Sequence, residues 1–447
     1  MNNSPPESNF VENGLAHLTK RAHLRLGLLQ EPGEGLVCTM AVPFQVATGV
    51  LGLWVGLNKT RTGVLDYAAG ADLVWSQCGA GEQLLEEKPQ CLPLFRNSVE
   101  ADPISGREAI FMRFPAAGGF VPVDATLSDG ARHPAAGTGF AFCHVHALPL
   151  QVAGGASEAG SEGTWVHDGP VYRCMELRQL RFDGETFSAD AVKRFHFDEL
   201  FPGWMISNKA MTPAVMSGES LLWPLTCRRS LTDETEDRFS TQSSIGVSRW
   251  TFREDGWGIE YIFEVEPAFE GYEPSMVRGP ENCLLLTARR KGKGNVPDKF
   301  GIPCWQSTDD GKTWSEAFRV QNHRADSPLV IGATASGSNF VVANLYAGGM
   351  NLRSPGYSRE LLALWELKSG LDGLGPATIL RCGQWDFGKA PTEHGWKLDH
   401  PSTCIIMDAD GNQRTLLTYR VQSSDENRLK DIGASNCSGV HLEEINL

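Results

Sequence analysis

Four residues in the second half of the sequence are of types that bind anions and transfer protons: Glu273, Arg289, Arg359 and His400. An imidazole exchanges protons near neutral pH, and guanidinium groups bind carboxylates through paired hydrogen bonds. Together they indicate acid–base chemistry beside a bound anion. The structural alternative is an internal Glu273–Arg289 salt bridge, because a buried arginine needs a partner. Since proline follows Glu273, we expect an extended backbone there.

Tyr419 and Trp204 are further candidates that have ordinary structural alternatives. Tyr419 supplies a second proton-transfer group or packs as a strand aromatic, and Trp204 stacks on a sugar or belongs to the core. His144 and His146 share one face of a predicted strand. They lack a third nearby ligand, so we expect neither a metal nor another cofactor.

The elements that must position these residues are short apolar segments bounded by glycine, proline, asparagine or aspartate, which predict strands. The predicted strands are Val50–Leu57, Ala109–Phe114, Ser220–Leu225, Cys283–Ala288, Asn339–Tyr346, Leu361–Leu367 and Arg414–Tyr419. Long amphipathic helices are absent. The segment Asp190–Leu200 is compatible with one or two helical turns or with a loop.

A turn motif repeats weakly along the chain. Ser307–Trp314 has the pattern S-x-D-x-G-x-T-W, in which Ser and Asp bond backbone amides, Gly takes a left-handed conformation and Trp packs beneath. Degraded copies occur near Asp183, Asp255 and Asp372. One such turn per four-stranded sheet predicts an all-β, six-bladed β-propeller.

We divide the chain into a polar tail and lead-in, residues 1–30, and a single propeller, residues 31–447. The predicted blades are Val37–Gln90, Cys91–Val166, Val171–Thr226, Ser244–Ala288, Pro303–Ala347 and Glu360–Tyr419, and Gly439–Leu447 is a terminal strand. Ring closure is expected to pair strands from the two chain ends.

Composition limits the partners. The 54 acidic and 40 basic residues give a net charge of −14, which argues against nucleic-acid binding. No segment has the roughly 20 apolar residues that span a bilayer, and the polar start has no secretory signal pattern. Eleven scattered cysteines without a CxxC pair suit reduced thiols. We therefore expect a cytoplasmic protein that does not bind membranes; its oligomeric state stays open.

With these pieces in order, the chain resembles the sialidase-like, neuraminidase-related propellers that carry Asp-box (BNR) repeats. The matching segments are Trp204–Lys209 with Ser220–Pro224, Gly271–Ser275 ("G-x-E-P-s"), Arg289, the Ser307–Trp314 Asp box, Arg359–Leu362 ("R-x-p-L"), His400–Ser402 and Thr418–Arg420. The match is best from Gly203 onwards. The first 150 residues match weakly, although Trp54–Asp66 is placed like a first-blade stretch.

The resemblance implies roles for individual residues. Glu273 takes the place of the glutamate that polarises the nucleophile, and Arg289 and Arg359 take the places of the second and third carboxylate-binding arginines. Asp66 is the candidate acid/base. The chain departs from the family pattern at two places: Ala41-Val42-Pro43 stands where an Arg-x-Pro is expected, and His400 stands where the family has its nucleophilic tyrosine.

The expected function is therefore that of an exo-acting glycoside hydrolase of the sialidase superfamily on an anionic or polyhydroxylated sugar. The expected substrate-binding residues are Arg289, Arg359, Asn208, Lys209 and Trp204, and the expected catalytic residues are His400, Glu273, Asp66 and Tyr419. Two alternatives stay open. One is a polysaccharide lyase, in which His400 abstracts a proton and Tyr419 protonates the leaving oxygen. The other is a propeller that binds a glycan or a protein without catalysis.

Overall fold

A computed structural model describes most of the chain. The described residues are 18–22, 36–59, 68–78, 89–114, 117–149, 173–196, 204–207, 210–230, 239–290, 301–321, 327–345, 359–368, 373–387, 396–423 and 439–447. Structural statements below refer to these residues.

The described chain is almost entirely β-structure. Its first strands are β1 (Leu18–Ala22), β2 (Leu36–Ala47), β3 (Val50–Lys59), β4 (Ala68–Gln77), β5 (Gln90–Arg96), β6 (Ser98–Ala101), β7 (Glu108–Arg113), β8 (Ala117–Phe120), β9 (Thr138–Pro149), β10 (Arg173–Phe182), β11 (Phe187–Ala189) and β12 (Lys193–His196). The middle strands are β13 (Trp204–Ser207), β14 (Val215–Ser217), β15 (Ser220–Ser230), β16 (Phe239–Arg253), β17 (Gly256–Glu264), β18 (Gly271–Arg278), β19 (Leu284–Arg290), β20 (Ile302–Ser307) and β21 (Ser315–Val320). The last elements are β22 (Val330–Ala333), β23 (Asn339–Asn344), β24 (Leu361–Glu366), β25 (Thr378–Cys382), helix α1 (Gly383–Phe387), β26 (Trp396–Met407), β27 (Gln413–Ser423) and β28 (Gly439–Ile445).

These strands form six antiparallel sheets, numbered here in chain order. The first sheet is β2–β5, the second β6–β12, the third β13–β17, the fourth β18–β21, the fifth β22–β25 and the sixth β26–β28 with β1. Four of the six sheets have four strands. The second and third are larger because short strands share one edge of a longer strand, as β7 and β8 do along β9.

Each sheet packs on the next, and the sixth returns to the first. The contacts run from β4 to β7, β9 to β13, β15 to β18, β18 to β22, β22 to β26 and β26 to β2. Apolar clusters fill the spaces between neighbouring sheets, for example β23, β24 and β26–β28 around Tyr419 and Trp396. The order of contacts closes a ring, so the protein is an all-β propeller with four-stranded antiparallel blades.

The ring closes through both ends of the described chain. Leu18–Ala22, in the region that the sequence assigned to a polar tail, forms β1 and pairs antiparallel with β28. The last sheet thus takes its outermost strand from the beginning of the chain, which removes an open sheet edge.

The predicted turn chemistry is present between β20 and β21. Asp309 Oδ1 accepts hydrogen bonds from the amides of Lys312 and Thr313, at 3.1 and 2.9 Å, and Ser307 Oγ accepts one from Gly311 at 2.9 Å. Gly311 has a φ of +82°, where a side chain would be strained. The turn lies inside a sheet, between its third and fourth strands.

Each of the seven predicted strand segments overlaps a strand of the structure, but two expectations were wrong. The blade divisions from the second onward do not match the sheets: Val171–Thr226, for instance, spans strands of the second and third sheets. Each predicted blade from the third onward contains strands of two neighbouring sheets, because local sequence patterns do not show which strands pair. In Asp190–Leu200, Lys193–His196 forms β12, which extends the second sheet through pairing with β10.

None of the helices that the structure describes is both long and apolar enough to cross a bilayer.

Candidate active site

Glu273 and His400 occupy matching positions on β18 and β26, the edge strands that carry the contacts between neighbouring sheets. Each residue has a positive φ, +52° for Glu273 and +53° for His400, and each lies at a break in its strand's pairing register. The expected extended backbone at Glu273 was therefore wrong, because a bulge overrides the preference before proline. A left-handed conformation is unfavourable for such residues, and strained backbone of this kind clusters at functional sites.

The bulges bring their side chains together. Glu273 Oε2 accepts a hydrogen bond from Arg289 Nη1 at 2.9 Å, and Glu273 Oε1 lies 3.8 Å from His400 Nε2. The Glu273 amide donates to Thr226 Oγ1 of the third sheet at 3.2 Å, which helps to fix the bulge. Glu273 is 2% exposed and His400 is 9% exposed, so both groups lie below the surface but His400 retains access.

On its other side, His400 contacts a carboxylate that is held by two arginines. His400 Nδ1 lies 2.9 Å from Asp399 Oδ1. Arg420 donates from Nε and Nη2 to the two oxygens of Asp399, at 2.7 and 2.9 Å, and Arg359 Nη1 also donates to Oδ2. We call Glu273, Arg289, Arg359, Asp399, His400 and Arg420 the central cluster.

Asn344, on β23, ties the fifth sheet to this cluster. Its side-chain amide lies 3.1 Å from the carbonyl oxygen of Arg359 and 2.9 Å from that of Leu398, the residue before Asp399. The Leu398 amide in turn donates to the Arg359 carbonyl at 2.9 Å. The backbone that carries Arg359 is thereby fixed beside the backbone that carries Asp399.

The electrostatics define the protonation of the Asp399–His400 pair. Although burial opposes it, the positive charges of Arg420 and Arg359, and that of His400 at a pH low enough to protonate it, hold the pKa of Asp399 well below its usual range. Asp399 is then a carboxylate that only accepts hydrogen bonds, so Nδ1 of His400 carries the proton between them. Burial lowers the pKa of His400 to about 4, against the opposing effect of Asp399. The imidazole is therefore neutral near pH 7, and its Nε2 presents a lone pair.

The central cluster joins three guanidinium groups to two carboxylates and a neutral imidazole. Arg289 and Arg359 are its more exposed members, with side-chain exposures of 25% and 16%. One positive charge exceeds the carboxylates within the cluster, which favours a bound anion near the exposed arginines. The neutral imidazole nearby can accept a proton from a substrate or from water.

The structure thus brings together Glu273, Arg289, Arg359 and His400, but it places Tyr419 elsewhere. The Tyr419 side chain is buried and its hydroxyl donates to Glu443 Oε1 at 2.9 Å, in a separate cluster with Arg381. Burial raises the pKa of Tyr419 well above its usual value. This placement does not support the proton-transfer role that was predicted for it.

The remaining predicted residues cannot be located in the same way. Asp66, Asn208 and Lys209 lie outside the described residues. Trp204 begins β13, but its side chain also lies outside what is described. Their roles stay predictions.

Two members of the central cluster were missed by sequence reasoning, Asp399 and Arg420. They are direct cross-strand partners between β26 and β27, and no short motif marks a pair 21 residues apart. One signal for Asp399 was present in the sequence. Asp399 and His400 stand directly before Pro401, just as Tyr272 and Glu273 stand directly before Pro274 in β18.

An Arg-x-Pro sequence, the pattern of the family's first arginine, occurs at Arg113-Phe114-Pro115. Its arginine is already engaged elsewhere. Arg113 Nε and Nη2 donate to the two oxygens of Glu176, at 2.6 and 2.8 Å, within the second sheet. Arg113 therefore does not belong to the central cluster.

No family model matches the chain, and no curated protein matches it significantly. Several solved structures are similar in fold. The Hadza microbial sialidase Hz136 is 13% identical, with a TM-score of 0.53 over 92% of this chain and 66% of that one. The intramolecular trans-sialidase from Ruminococcus gnavus, in complex with oseltamivir carboxylate, is 10% identical, with a TM-score of 0.51 over 92% and 94%. The leech intramolecular trans-sialidase is 11% identical, with a TM-score of 0.50 over 92% and 68%.

The fold is that of these propellers. At such low identity the likeness concerns the fold alone, and function has to be argued from the site.

Proposed function

We propose that this protein is an exo-acting glycoside hydrolase of the sialidase superfamily whose substrate is an anionic sugar. The observation that carries the proposal is the central cluster itself. Three successive sheets bring a neutral imidazole, a carboxylate and partly exposed guanidinium groups to one place, on a strained backbone. The left-handed glutamate lies on β18 of the fourth sheet and the left-handed histidine on β26 of the sixth sheet, and strained residues that meet in this way are typical of a preorganised site.

Each part of the cluster has a role in this proposal. Arg289 and Arg359 bind the carboxylate of the sugar, since both side chains are partly exposed. His400, oriented by Asp399, exchanges a proton at the reacting centre. Asp66 is the proposed acid for the leaving oxygen, and Trp204, Asn208 and Lys209 are proposed to line the sugar site.

We also propose that each of the six sheets is one blade. Proline recurs on the inner edges: Pro43 in β2, Pro213 before β14, Pro274 in β18, Pro328 before β22 and Pro401 in β26. Proline has no amide hydrogen to offer a neighbouring strand, so it suits a strand edge that faces the axis. The solved trans-sialidase propellers that share the fold support the same ring architecture.

The two alternatives are weaker on this geometry. The lyase mechanism assigned proton donation to Tyr419, whose hydroxyl is buried against Glu443. A non-catalytic propeller needs no neutral imidazole held by a carboxylate. The Asp399–His400 pair suits proton abstraction by either enzyme, so the lyase and the hydrolase differ here in the acid that each requires.

A substrate panel tests the proposal. It contains 4-nitrophenyl uronides of both anomeric configurations, the corresponding neutral 4-nitrophenyl glycosides, methylumbelliferyl α-sialoside and uronate polysaccharides. We expect release of 4-nitrophenol from a uronide, little from the neutral sugars, and little from the sialoside because the tyrosine and the first arginine of the family are absent. An unsaturated uronate absorbing in the near ultraviolet would identify a lyase instead. Binding of these ligands without any product would identify a binding module.

A further inference from the structure

The distance between the His400 and Glu273 side chains bears on the stereochemistry of the hydrolysis. Nδ1 of His400 carries the proton that it donates to Asp399, so Nε2 of the same ring is a hydrogen-bond acceptor. Nε2 lies 3.8 Å from Glu273 Oε1. A carboxylate oxygen also only accepts hydrogen bonds. A water molecule located between two acceptors at this separation can donate one hydrogen to each of them.

Arg289 orients Glu273 for this arrangement. It binds Oε2 at 2.9 Å, and the other oxygen, Oε1, is the one turned towards His400. Asp399 is likewise fixed by Arg420 and Arg359, so the imidazole ring has a fixed orientation. Both acceptors therefore point at one location without reorganisation.

Direct attack by the imidazole on the sugar is unfavourable here. It would form a glycosylated imidazolium, which is cationic as long as Nδ1 keeps its proton, in a buried site beside guanidinium groups. Burial and Arg420 already oppose a positive charge on His400. A proton taken from water causes the same charge only briefly, because it can pass on to Glu273 or to solvent, whereas a glycosyl group cannot.

We propose that a water molecule bridging His400 Nε2 and Glu273 Oε1 attacks the anomeric carbon in a single displacement, so that hydrolysis inverts the anomeric configuration. This inference rests on the proposed hydrolase function and adds its stereochemical course. The water oxygen forms a bond to the anomeric carbon, and Nε2 takes its proton. The bond from that carbon to the leaving oxygen breaks, and its electron pair stays with the leaving group. A 4-nitrophenyl group departs as the phenolate, so this substrate needs no acid.

The stereochemistry is measured by proton NMR on the unmodified protein with the 4-nitrophenyl uronide that the panel shows to be cleaved. Spectra taken before mutarotation identify the first anomer released. We expect the anomer opposite to that of the substrate, and no methyl glycoside when methanol is added. A product of retained configuration, or a retained methyl glycoside, would overturn the inference and leave the hydrolase function standing. If no uronide or neutral glycoside is cleaved, the proposed function fails, and the inference fails with it.

A variant of His400 distinguishes a role as a base that activates water from a role as the nucleophile that attacks the sugar. His400→Ala removes the imidazole, and imidazole added to the buffer should restore part of the lost rate while the product stays inverted. The His196→Gln variant, on β12 of another sheet, should gain nothing from added imidazole. A His400→Ala variant that cleaves at the original rate would also overturn the inference.

Discussion

The central cluster and the charged network of the second sheet contain similar charged groups, but they differ in net charge, in backbone strain and in the presence of a histidine. The second-sheet network consists of Glu100, Arg113, Glu176 and Arg194. Arg113 binds Glu176 through two hydrogen bonds, and Arg194 joins Glu176 at 2.7 Å and Glu100 at 2.9 Å. Two cations thus face two carboxylates, none of the four residues has a positive φ, and no histidine takes part.

The difference distinguishes a structural network from a candidate site. In the second-sheet network each of the four charges has a partner of opposite sign, and hydrogen bonds chiefly from Arg194 lower the pKa of Glu100 to about 2. In the central cluster a neutral base, an excess cation and two strained residues converge. Closed ion pairing holds strands together, whereas incomplete charge compensation beside a strained backbone favours a ligand.

The largest expected effect is on turnover in the central cluster. His400→Ala should lower kcat on a cleaved uronide by about 10²–10⁴-fold, the usual contribution of a positioned acid or base. KM should change little, because the arginines bind the substrate. Steady-state kinetics with His196→Gln as the control measures this. An unchanged kcat would make His400 a packing residue and would remove the contrast with the second sheet.

The opposite behaviour is expected of Arg113. Arg113→Ala leaves the fully buried Glu176 without its bidentate partner and should lower the free energy of unfolding by about 3–5 kcal/mol. Turnover of the folded fraction should be unchanged. Denaturant titration with activity measured in parallel tests both. Replacing the pair together, Arg113→Met with Glu176→Leu, should recover most of the stability; if it does not, the network does more than hold strands.

The sequence predicted the propeller and four of the six residues of the central cluster for identifiable reasons. Strands and the Ser307–Trp314 turn follow from local patterns, which tertiary contacts leave intact. Blade boundaries and Asp399 with Arg420 depend on pairing between distant segments, and the bulge at Glu273 reverses the local preference before Pro274. Tyr419 matched a family segment, yet strand alternation turns it to the face opposite Arg420.

A smaller effect is expected at the exposed arginine of the cluster. Arg359→Ala should weaken the binding of uronides by about 10- to 100-fold, corresponding to charge-assisted hydrogen bonds of roughly 1.5–3 kcal/mol. Binding of the matched neutral sugars should change by much less. Isothermal titration of both ligand types measures the ratio. Arg319→Ala, which removes a surface ion pair with Glu316, is the control and should affect neither. Equal losses for acidic and neutral sugars would assign Arg359 to holding Asp399 alone.

The smallest expected effect is a shift in the pKa of His400. The size of the shift in each variant ranks Asp399 and Glu273 by their influence on this pKa. His400 has a pKa of about 4 because burial outweighs the negative charges nearby, and Asp399 raises this pKa more than Glu273 does. Removing either charge should therefore lower the pKa further, by more in Asp399→Asn than in Glu273→Gln. Nitrogen-15 NMR of the imidazole reports the pKa without any need for turnover.

The same titration limits catalysis. Because the base must be neutral, kcat/KM should fall as the pH drops through about 4, since the protonated imidazole cannot accept a proton. A pKa near 6.5 in the folded protein would mean that His400 is solvated, and the lone pair at Nε2 would then not be held ready for the bridging water.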